Sequence, residues 1–523
     1  MGVVLTIDAG TTGVRSMAVD QAGRIVAGHY REFPQYFPRP GWVEHDAEEI
    51  WAAVAATLAA VLEEVGEPVA AIGVTDQRET TVVWDRRTGR PLHRAVVWQD
   101  RRTAEDCRRL NDEGHLPLVR ARTGLVLDPY FSATKLAWII GPGGVPVTPA
   151  TAFGTIDSWI IWKLSGGAAH VTDTTNASRT LLFDIDGLTW DADLAELFGV
   201  PLSILPEVGP SSGRLAATAA GAVPGLAAGV PVSGVAGDQQ AALFGQACFE
   251  PGMTKNTYGT GSFVLMNVGS RRPDPVDGLL TTVAWSLGEV SPLQTTYALE
   301  GAIFVTGAAV QWLRDQLGII SESAEIGPLA ASVPDTGGAF FVPALTGLGS
   351  PWWDPGARGT MVGLTRGVGR AQLARAVVEA MVYQTADVVA AMTGGSGHPV
   401  AELRVDGGAS VMDLLLQMQA DVLGVAVRRT AQPDTTALGA AFLAGLAEGV
   451  WEVADIASLW AADAAREPAA TSEVSTAAYA AWQRAVARTR GWDPTSWDQA
   501  ADPAAWDPGA DPAAWDPAAD PTG

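Results

Sequence analysis

Apolar and polar positions at the N-terminus alternate in two short runs that are separated by a turn of small residues. Residues 3 to 20 read V-V-L-T-I-D-A-G-T-T-G-V-R-S-M-A-V-D, and this pattern predicts a β-hairpin with a glycine tip. The turn from Asp8 to Arg15 offers backbone amides, two hydroxyls, a carboxylate and a guanidinium, a set that suits a phosphate with its metal ion. A plain hairpin is the alternative, and the turn is not a P-loop because no Gly-Lys-Ser/Thr follows the glycines.

Helical and strand periodicities alternate through the next segment, which predicts an α/β domain. Asp46 and Glu49 stand in a capping-box arrangement before a helix with apolar residues at helical spacing. Val69 to Asp76 is predicted to be a buried strand, and the polar residues Arg78 and Glu79 follow it closely. Adjacent Arg and Glu usually form a surface salt pair, yet ligands bind at strand ends in α/β proteins.

The segment from Val232 to Gly245 predicts a short apolar strand, a glycine turn, an acid and a helix. It reads V-S-G-V-A-G-D-Q-Q-A-A-L-F-G, and the helix is expected to begin at Gln239. Asp238 stands where an N-cap or first-turn acid would stand, and a helix cap is the plain interpretation. The glycines allow close backbone approach and the two glutamines add amides beside the acid, as a site for hydroxyl groups needs.

From Met253 the pattern of the first hairpin returns as a strand, a Gly-Thr turn and another strand. Two α/β halves that each open with such a hairpin suggest an internal duplication, with a nucleotide between the lobes. An amphipathic helix is predicted from Gly301 to Arg314, and Arg404 to Ser410 is predicted to be a strand that runs into a glycine pair. Ala437 to Gly449 is predicted to be a small-residue helix that packs closely against a sheet or a ligand.

The end of the chain differs in composition from the rest. From Trp492 to Gly523 the sequence cycles through W-D-P and A-D-P. This acidic, proline-rich segment without apolar periodicity is predicted to be a disordered appendage. Docking points at its regularly spaced tryptophans are the alternative to a neutral repeat expansion.

Composition narrows the class of protein further. The 523 residues include 34 Lys and Arg against 58 Asp and Glu, and the net charge of −24 argues against nucleic-acid and anionic-membrane partners. No segment approaches the ~18 consecutive apolar residues of a membrane helix, and the N-terminus lacks the pattern of a signal peptide, so we expect a cytoplasmic protein without membrane insertion. Cys107 and Cys248 are expected to be core thiols, and the histidines lack the spacing of a structural zinc site.

Six motifs then carry a specific resemblance. They are P-G-W-V-E-H-D (40 to 46), T-D-Q-R-E-T-T-V-V-W (75 to 84), D-P-Y-F-S-A-T-K (128 to 135), G-D-Q-Q-A-A-L-F-G (237 to 245), N-T-Y-G-T-G-S-F (256 to 263) and G-A-R-G-T-M-V-G-L-T-R-G (356 to 367). Together they resemble the FGGY carbohydrate kinases, and within that family the members that phosphorylate glycerol. They follow the family order across the chain to about residue 490.

The resemblance implies an α/β fold of two actin-like (ribonuclease H-like) ATPase domains with the active site in the cleft between them. The N-terminal domain, with the glycerol and phosphate side, is expected at residues 1–250, the C-terminal nucleotide domain at 251–490 and the tail at 491–523. The implied reaction is phosphorylation of glycerol by ATP to sn-glycerol 3-phosphate with Mg²⁺, in a homo-oligomer (dimer or tetramer). A kinase for another polyol or sugar and a non-catalytic polyol or nucleotide sensor are the alternatives.

The resemblance also assigns roles to individual residues, with Asp238 as the general base. The implied glycerol ligands are Arg78, Glu79, Tyr130, Asp238 and Gln239, with Trp98 and Phe263 facing the carbon chain. The positions on the ATP side are Thr11, Thr12, Gly13, Arg15, Thr260, Gly307, Gln311, Gly408 and Met412, and Asp8 would support magnesium through water.

Three departures from the family pattern affect these expectations. Where related kinases commonly have D-Q-G-T-T and two serines, this chain has Ala9 after Asp8, and Gly13 and Val14 in place of the serines. After Gly407 and Gly408, Met412 and Asp413 stand where the family has an Asn-Asn pair, which changes the hydrogen-bonding groups on the adenine side. A basic glycine-rich loop that binds fructose 1,6-bisphosphate in some bacterial relatives is replaced by G-A-V-P-G-L-A-A-G at 221 to 229.

Overall fold

The computed structural model describes residues 2–470 and 472–492, so the predicted tail lies outside the described residues apart from its first positions. The strands in chain order are β1 (Val3–Ala9), β2 (Gly13–Val19), β3 (Ile25–Glu32), β4 (Glu44–His45), β5 (Val69–Asp76), β6 (Val82–Asp85), β7 (Arg90–Pro91), β8 (Ala95–Val96), β9 (Thr151–Gly154), β10 (Val171–Asp173), β11 (Phe183–Asp184), β12 (Thr189–Trp190), β13 (Glu207–Gly209), β14 (Ser212–Ala217), β15 (Pro231–Gly237), β16 (Met253–Tyr258), β17 (Ser262–Gly269), β18 (Leu280–Ser286), β19 (Thr295–Ile303), β20 (Phe340–Val342), β21 (Thr360–Val362), β22 (Glu402–Gly407), β23 (Val427–Thr430) and β24 (Ala462–Arg466).

Helices connect these strands and cover the sheets. They are α1 (Ala47–Glu64), α2 (Ala104–Asp112), α3 (Leu116–Thr123), α4 (Ser132–Ile140), α5 (Ile156–Leu164), α6 (Thr174–Ala177), α7 (Ala192–Phe198), α8 (Asp238–Gly245), α9 (Gly307–Asp315), α10 (Ile326–Ala331), α11 (Arg370–Ser396), α12 (Asp413–Leu423), α13 (Thr435–Ala447), α14 (Val453–Leu459) and α15 (Ser472–Thr489). None of the helices in the described part is long and apolar enough to cross a membrane.

The first sheet has the strand order β14-β15-β5-β1-β2-β3. The predicted hairpin is confirmed, because β1 and β2 pair antiparallel up to Ala9 and Val14, and β3 continues this meander. On the other side of β1, the strands β5 and β15 run parallel to it, with Asp76 beside both Ala9 and Gly237. The hairpin turn, Arg78 and Asp238 therefore leave the sheet at the same edge, where ligands bind in such sheets.

The second sheet repeats this arrangement. Its order is β18-β19-β17-β16-β22-β23-β24, with β16, β17 and β19 antiparallel and β16, β22 and β23 parallel. The central strand, β16, corresponds to β1, and its turn at Gly259 lies beside the end of β22, since Tyr258 pairs with Gly407. The internal echo predicted from the two hairpins is thus present in the topology, and each half is a mixed α/β sheet as expected.

Helix α13 joins the two halves, because in sequence it lies between β23 and β24 of the second sheet but it packs on the first sheet and on α8. Glycines permit this approach. A Cβ on Gly73 would lie 2.2 Å from the carbonyl oxygen of Ala440, and one on Gly439 would lie 1.8 Å from the carbonyl oxygen of Ala241. The prediction of a closely packed small-residue helix is confirmed at this junction.

Two local predictions were wrong. Asp46 is the N-cap of α1 and accepts the amide of Glu48, but Glu49 does not complete a capping box because its carboxylate accepts the hydroxyl of Tyr36 at 2.9 Å. The helix expected from Gly301 begins instead at Gly307, because residues up to Ile303 pair with β17. Pairing in the sheet overrides the helical periodicity at that point.

Candidate active site

Arg78 is buried at the carboxyl edge of the first sheet, where it is surrounded by hydrogen-bond partners. Its guanidinium donates to the carboxylate of Glu300 on the second sheet, at 2.5 and 3.1 Å, and to the hydroxyl of Tyr130 at 3.2 Å. The Nε atom of Arg78 lies 3.3 Å from a carboxylate oxygen of Asp238. The predicted ligands Arg78, Tyr130 and Asp238 of the first lobe therefore converge on one point, where Glu300 of the second lobe supports Arg78.

A second buried arginine completes an alternating group of charges. Arg179 donates from Nε to Glu79 at 2.7 Å and from Nη2 to Glu300 at 2.9 Å. Burial would raise the pKa of Glu300, but Arg179 and Arg78 outweigh it and hold that pKa at about 2. Glu300 therefore stays ionised between two cations, which fixes the Arg78 fork in a bidentate geometry.

Glu79 has a backbone strain that is common at functional sites. Its φ angle is 64°, in the left-handed region that a residue with a side chain rarely adopts. The side chain of Glu79 is buried and held by Arg179. This conformation turns the chain sharply after β5 and places Arg78 and Glu79 side by side at the edge of the sheet.

Asp238 is the first residue of α8, one position earlier than the helix start predicted from the sequence, and Gly237 is the N-cap. The carboxylate accepts the amide of Gln239 at 2.7 Å, and its side chain is 33% exposed while Arg78 beside it is buried. A carboxylate with one oxygen near a fixed cation and part of its surface open to the cleft is accessible to a substrate hydroxyl. Among the predicted glycerol ligands in the described part of the chain, only Asp238 is a carboxylate that is both close to Arg78 and partly exposed.

Gln239 is oriented by a buried lysine that sequence reasoning missed. Lys255 on β16 donates to the side-chain oxygen of Gln239 at 2.5 Å and to the hydroxyl of Thr257 at 3.0 Å. Burial lowers the pKa of Lys255 to about 8. Because an ammonium group only donates, it fixes which end of the Gln239 amide is the oxygen and leaves the NH₂ group as a donor.

Aromatic side chains line the same site. Trp98 and Tyr130 pack edge to face with ring centroids 5.6 Å apart, and Phe263 lies 5.9 Å from the Arg78 guanidinium carbon. The indole N–H of Trp98 donates to the hydroxyl of Thr11 at 3.0 Å. The predicted apolar wall is therefore tied directly to the first hairpin.

Side chains from other parts of the first lobe donate hydrogen bonds to the backbone of the hairpin turn. Gln35 donates to the carbonyl of Thr11 at 2.9 Å and Gln77 donates to that of Gly10 at 3.1 Å. Arg15 forms an ion pair with Asp434, the N-cap of α13. Burial, and after it the nearby carboxylate of Asp238, raises the pKa of Asp8 to about 7. The predicted phosphate and metal residues thus lie together, next to Asp238.

The remaining nucleotide positions line a separate cavity of about 670 Å³ in the second lobe. Five predicted residues contribute to its wall, namely Thr260, Gly307, Gln311, Gly408 and Met412. The turn of the second hairpin is closed by the amide of Thr306, which donates to the carbonyl of Thr260 at 2.9 Å. A cavity of this size accommodates a drug-sized or nucleotide-sized ligand.

Comparison with known proteins decides the family. Residues 3–245 match the FGGY family of carbohydrate kinases, N-terminal domain, and residues 254–448 match the C-terminal domain of the same family. The chain belongs to the FGGY family of carbohydrate kinases. The two matched regions contain helix α13 and the strands of the two mixed sheets except β24.

Similar FGGY proteins come from bacteria and from a eukaryotic parasite. A glycerol kinase of Bordetella parapertussis is 52% identical over 498 residues, covering 94% of this chain and 97% of its own. Glycerol kinase 2 of Thermotoga maritima is 51% identical over 501 residues, covering 94% of this chain and 100% of its own. The crystal structure of Plasmodium falciparum glycerol kinase with ADP has a TM-score of 0.89 at 32% identity and covers 94% of this chain and 98% of its own.

In this FGGY protein, sequence reasoning missed Arg179, Lys255 and Glu300. Lys255 lies inside the largely polar strand segment M-T-K-N-T-Y, where a charged residue normally faces solvent. Arg179 follows a short helix in a segment without any motif. A signal existed for Glu300, because a charged residue within the apolar run Y-A-L-E-G-A-I has to be buried or functional.

Proposed function

We propose that this FGGY kinase transfers the terminal phosphoryl group of ATP to glycerol and forms sn-glycerol 3-phosphate. The observation that carries the proposal is the convergence of Arg78, Tyr130 and Asp238 beside the hydroxyl-rich first hairpin. The nucleotide-sized cavity in the opposite lobe supports it, as do relatives of about 52% identity that are named glycerol kinases.

Glycerol is a small chain of three hydroxyl groups, so its recognition depends on paired hydrogen bonds. In the proposed complex Arg78 and Tyr130 donate to substrate oxygens, Glu79 accepts from a hydroxyl, and the NH₂ group of Gln239 donates. Trp98 and Phe263 face the carbon chain. Because Glu300 accepts both hydrogen bonds from the far side of Arg78 and is itself held by Arg179, the orientation of Arg78 does not depend on the substrate, and little reorganisation is needed on binding.

Asp238 is the general base in this proposal. It accepts the proton of the terminal glycerol hydroxyl while that oxygen bonds to the γ-phosphorus and the bond to the departing ADP oxygen breaks. The transition state of phosphoryl transfer needs in-line positioning and charge stabilisation more than a strong base. A carboxylate in place against the nucleophile typically contributes ~10² to 10⁴ in rate.

The ATP phosphates lie between the two hairpins in the proposed complex. Thr11, Thr12, Gly13 and Arg15 contact them from the first lobe and Thr260 from the second, while Gly307, Gln311, Gly408 and Met412 surround the nucleoside. Arg15 would leave Asp434 for a phosphate. Met412 offers no hydrogen bond to adenine, so the base is held mainly by apolar contact in the cavity.

Asp8 is the proposed support for Mg²⁺, which would neutralise charge on the ATP phosphates. The residues present fit this ion, because Asp8 is a half-buried hard oxygen donor whose pKa is raised first by desolvation and then by the nearby carboxylate of Asp238, and a cation would compensate both. No group of three or more His, Cys, Asp or Glu is placed to hold a metal within the described residues. A magnesium ion that uses one carboxylate and substrate phosphates agrees with this donor set.

The cellular setting follows from the same chemistry. A cytoplasmic location is proposed because the reaction consumes ATP and both cysteines are buried free thiols. A homo-oligomer, dimer or tetramer, remains an expectation from the family resemblance, and light scattering of the purified protein measures it. A non-catalytic sensor is the alternative function, and the presence of both Asp8 and Asp238 disfavours it.

The direct test is ADP release by the full chain with ATP and Mg²⁺ across glycerol, dihydroxyacetone, erythritol, xylulose and gluconate. We expect the highest kcat/KM for glycerol. A higher kcat/KM for xylulose or gluconate would replace glycerol with a sugar substrate. Absence of turnover with every compound, together with measurable binding of ATP, would favour the sensor.

A further inference from the structure

Tyr30 lies over the first hairpin at the position where this chain departs from the family pattern. Tyr30 is on the edge strand β3 and pairs directly with Arg15, while Gly13 pairs with Glu32. Since side chains two positions apart share a face of the sheet, Tyr30 and Gly13 are diagonal neighbours on one face. A Cβ built on Gly13 would lie 2.5 Å from the Tyr30 hydroxyl oxygen and 2.7 Å from two ring carbons.

The Tyr30 hydroxyl therefore occupies the space that a side chain at position 13 would fill. Gly13 lies in a regular strand, so its backbone accommodates a side chain, and the three atoms nearest to a Cβ there all belong to Tyr30. The family pattern has a serine at this position, and its hydroxyl is replaced here by a phenol that reaches the same place from the neighbouring strand.

The surroundings of this hydroxyl suit an anion. Tyr30 is 50% exposed, and its hydroxyl makes no hydrogen bond to any other residue that the structure describes. The Arg15 guanidinium carbon lies 5.7 Å from the centre of the Tyr30 ring, and this guanidinium, now paired with Asp434, would turn to a bound phosphate. The free phenol and a cation thus stand at the mouth of the turn, and a phenol donates a hydrogen bond to an anionic oxygen.

We propose that Tyr30 binds a phosphate group of the nucleotide, with its hydroxyl taking the place of the side chain that Gly13 lacks. Tyr30 and Gly13 act as a pair. The site holds either a hydroxyl-bearing side chain at position 13 or the phenol of Tyr30, but there is no room for the two together. The inference rests on the proposed function only in that the phosphate belongs to ATP or ADP.

A cycle of variants separates this role from a merely structural one. Aromatic side chains also stabilise glycines in edge strands by covering them. Tyr30→Phe keeps the covering ring and removes only the hydroxyl. Gly13→Ala displaces the tyrosine and supplies no hydroxyl, whereas Gly13→Ser displaces it and supplies one. Calorimetry with the full chain gives the dissociation constants of MgATP and MgADP for each variant, with glycerol as the control ligand and the melting temperature as a check of folding.

We expect Tyr30→Phe and Gly13→Ala to weaken binding of MgATP about fivefold or more, the loss of one hydrogen bond to a charged group, with glycerol binding unchanged. Gly13→Ser should bind MgATP nearly as tightly as wild type, and Tyr30→Phe should have no further effect in that background. Wild-type nucleotide affinity in Tyr30→Phe, or an equal loss in both backgrounds, would overturn the proposal. If the variants show the expected MgATP affinities but the protein does not phosphorylate glycerol, the proposed function fails and the assignment of Tyr30 stands.

Discussion

At the scale of single residues, the site depends on buried charges that hold other side chains in place. Lys255 fixes the Gln239 amide, and Glu300 with Arg179 fixes Arg78. The residues that contact substrate in our proposal were found from the sequence because they follow strand ends. Their supporting charges were not found, because the arginine partners of Glu300 are distant in sequence and the polar segment around Lys255 gives no sign that its side chain is buried.

Lys255→Met is expected to raise the KM for glycerol about three- to tenfold with little change in the KM for ATP. The variant keeps the buried volume but frees the Gln239 amide to rotate, which loses one oriented hydrogen bond. Steady-state kinetics with each substrate varied in turn measures both constants. An unchanged KM for glycerol would show that Gln239 does not depend on Lys255.

The same variant also tests the buried charge through the dependence of stability on pH. Burial lowers the pKa of Lys255 to about 8 from a reference of 10.5. Between these two pH values the unfolded chain therefore binds more protons at Lys255 than the folded chain does. The contribution of Lys255 to the free energy of unfolding consequently rises with pH over this range. We expect wild type to gain stability relative to Lys255→Met as the pH rises from about 8, measured by chemical denaturation.

At the scale of elements, α8 and α13 cross with their backbones in close contact. A Cβ on Gly439 would lie 1.8 Å from the carbonyl oxygen of Ala241 and 3.0 Å from the amide nitrogen of Gly245. Both contacts are with backbone, which cannot rotate away. The sequence predicted the small-residue helix but not its partner, because nothing in the local pattern shows which sheet a helix will cover.

Gly439→Ala is expected to lower the free energy of unfolding by about 2 kcal/mol or more, as overpacking forces the two helices apart. Gly394→Ala is the matched control, since Gly394 is also helical and a Cβ there meets no atom within 4 Å. That control should be neutral or stabilising by up to about 1 kcal/mol, because alanine favours a helix. Equal effects of the two substitutions, measured in urea, would contradict the close crossing.

The loop from Gly221 to Gly229 predicts the response to one effector. It contains no Lys or Arg, whereas bidentate guanidinium contacts are the strong part of a phosphate site. The net charge of −24 further disfavours a multiply anionic ligand. We therefore expect no inhibition by millimolar fructose 1,6-bisphosphate at saturating glycerol and constant free Mg²⁺. Inhibition under these conditions would reveal an effector site outside this loop.

At the scale of the whole molecule, the two sheets share an arrangement of six strands, to which the second sheet adds β18. The sequence predicted both hairpins and the duplication, because a strand, a Gly-Thr turn and a strand recur at each start. It did not predict that Glu300 of the second sheet would reach Arg78 and Arg179 of the first half. Because of this contact, the proposed glycerol site contains side chains from both lobes.

Glu300→Gln is expected to destabilise the protein by about 3 kcal/mol, because two buried arginines lose the carboxylate between them. Asp315→Asn is the control, since Asp315 pairs with Arg314 on the surface and exposed pairs contribute little. Chemical denaturation of the full chain measures both changes. A negligible effect of Glu300→Gln would mean that this ion pair does not hold the lobes together.

The central claim is that Asp238 takes the proton of glycerol in an intact cleft. Asp238→Asn keeps the shape of the side chain but removes its ability to accept a proton. The most direct measurement compares glycerol-dependent formation of ADP by this variant and by wild type, with the affinities for glycerol and MgATP determined for both proteins. We predict a loss of about 10²-fold or more in kcat with both affinities nearly unchanged. Turnover like that of wild type, with the same affinities, would contradict the account.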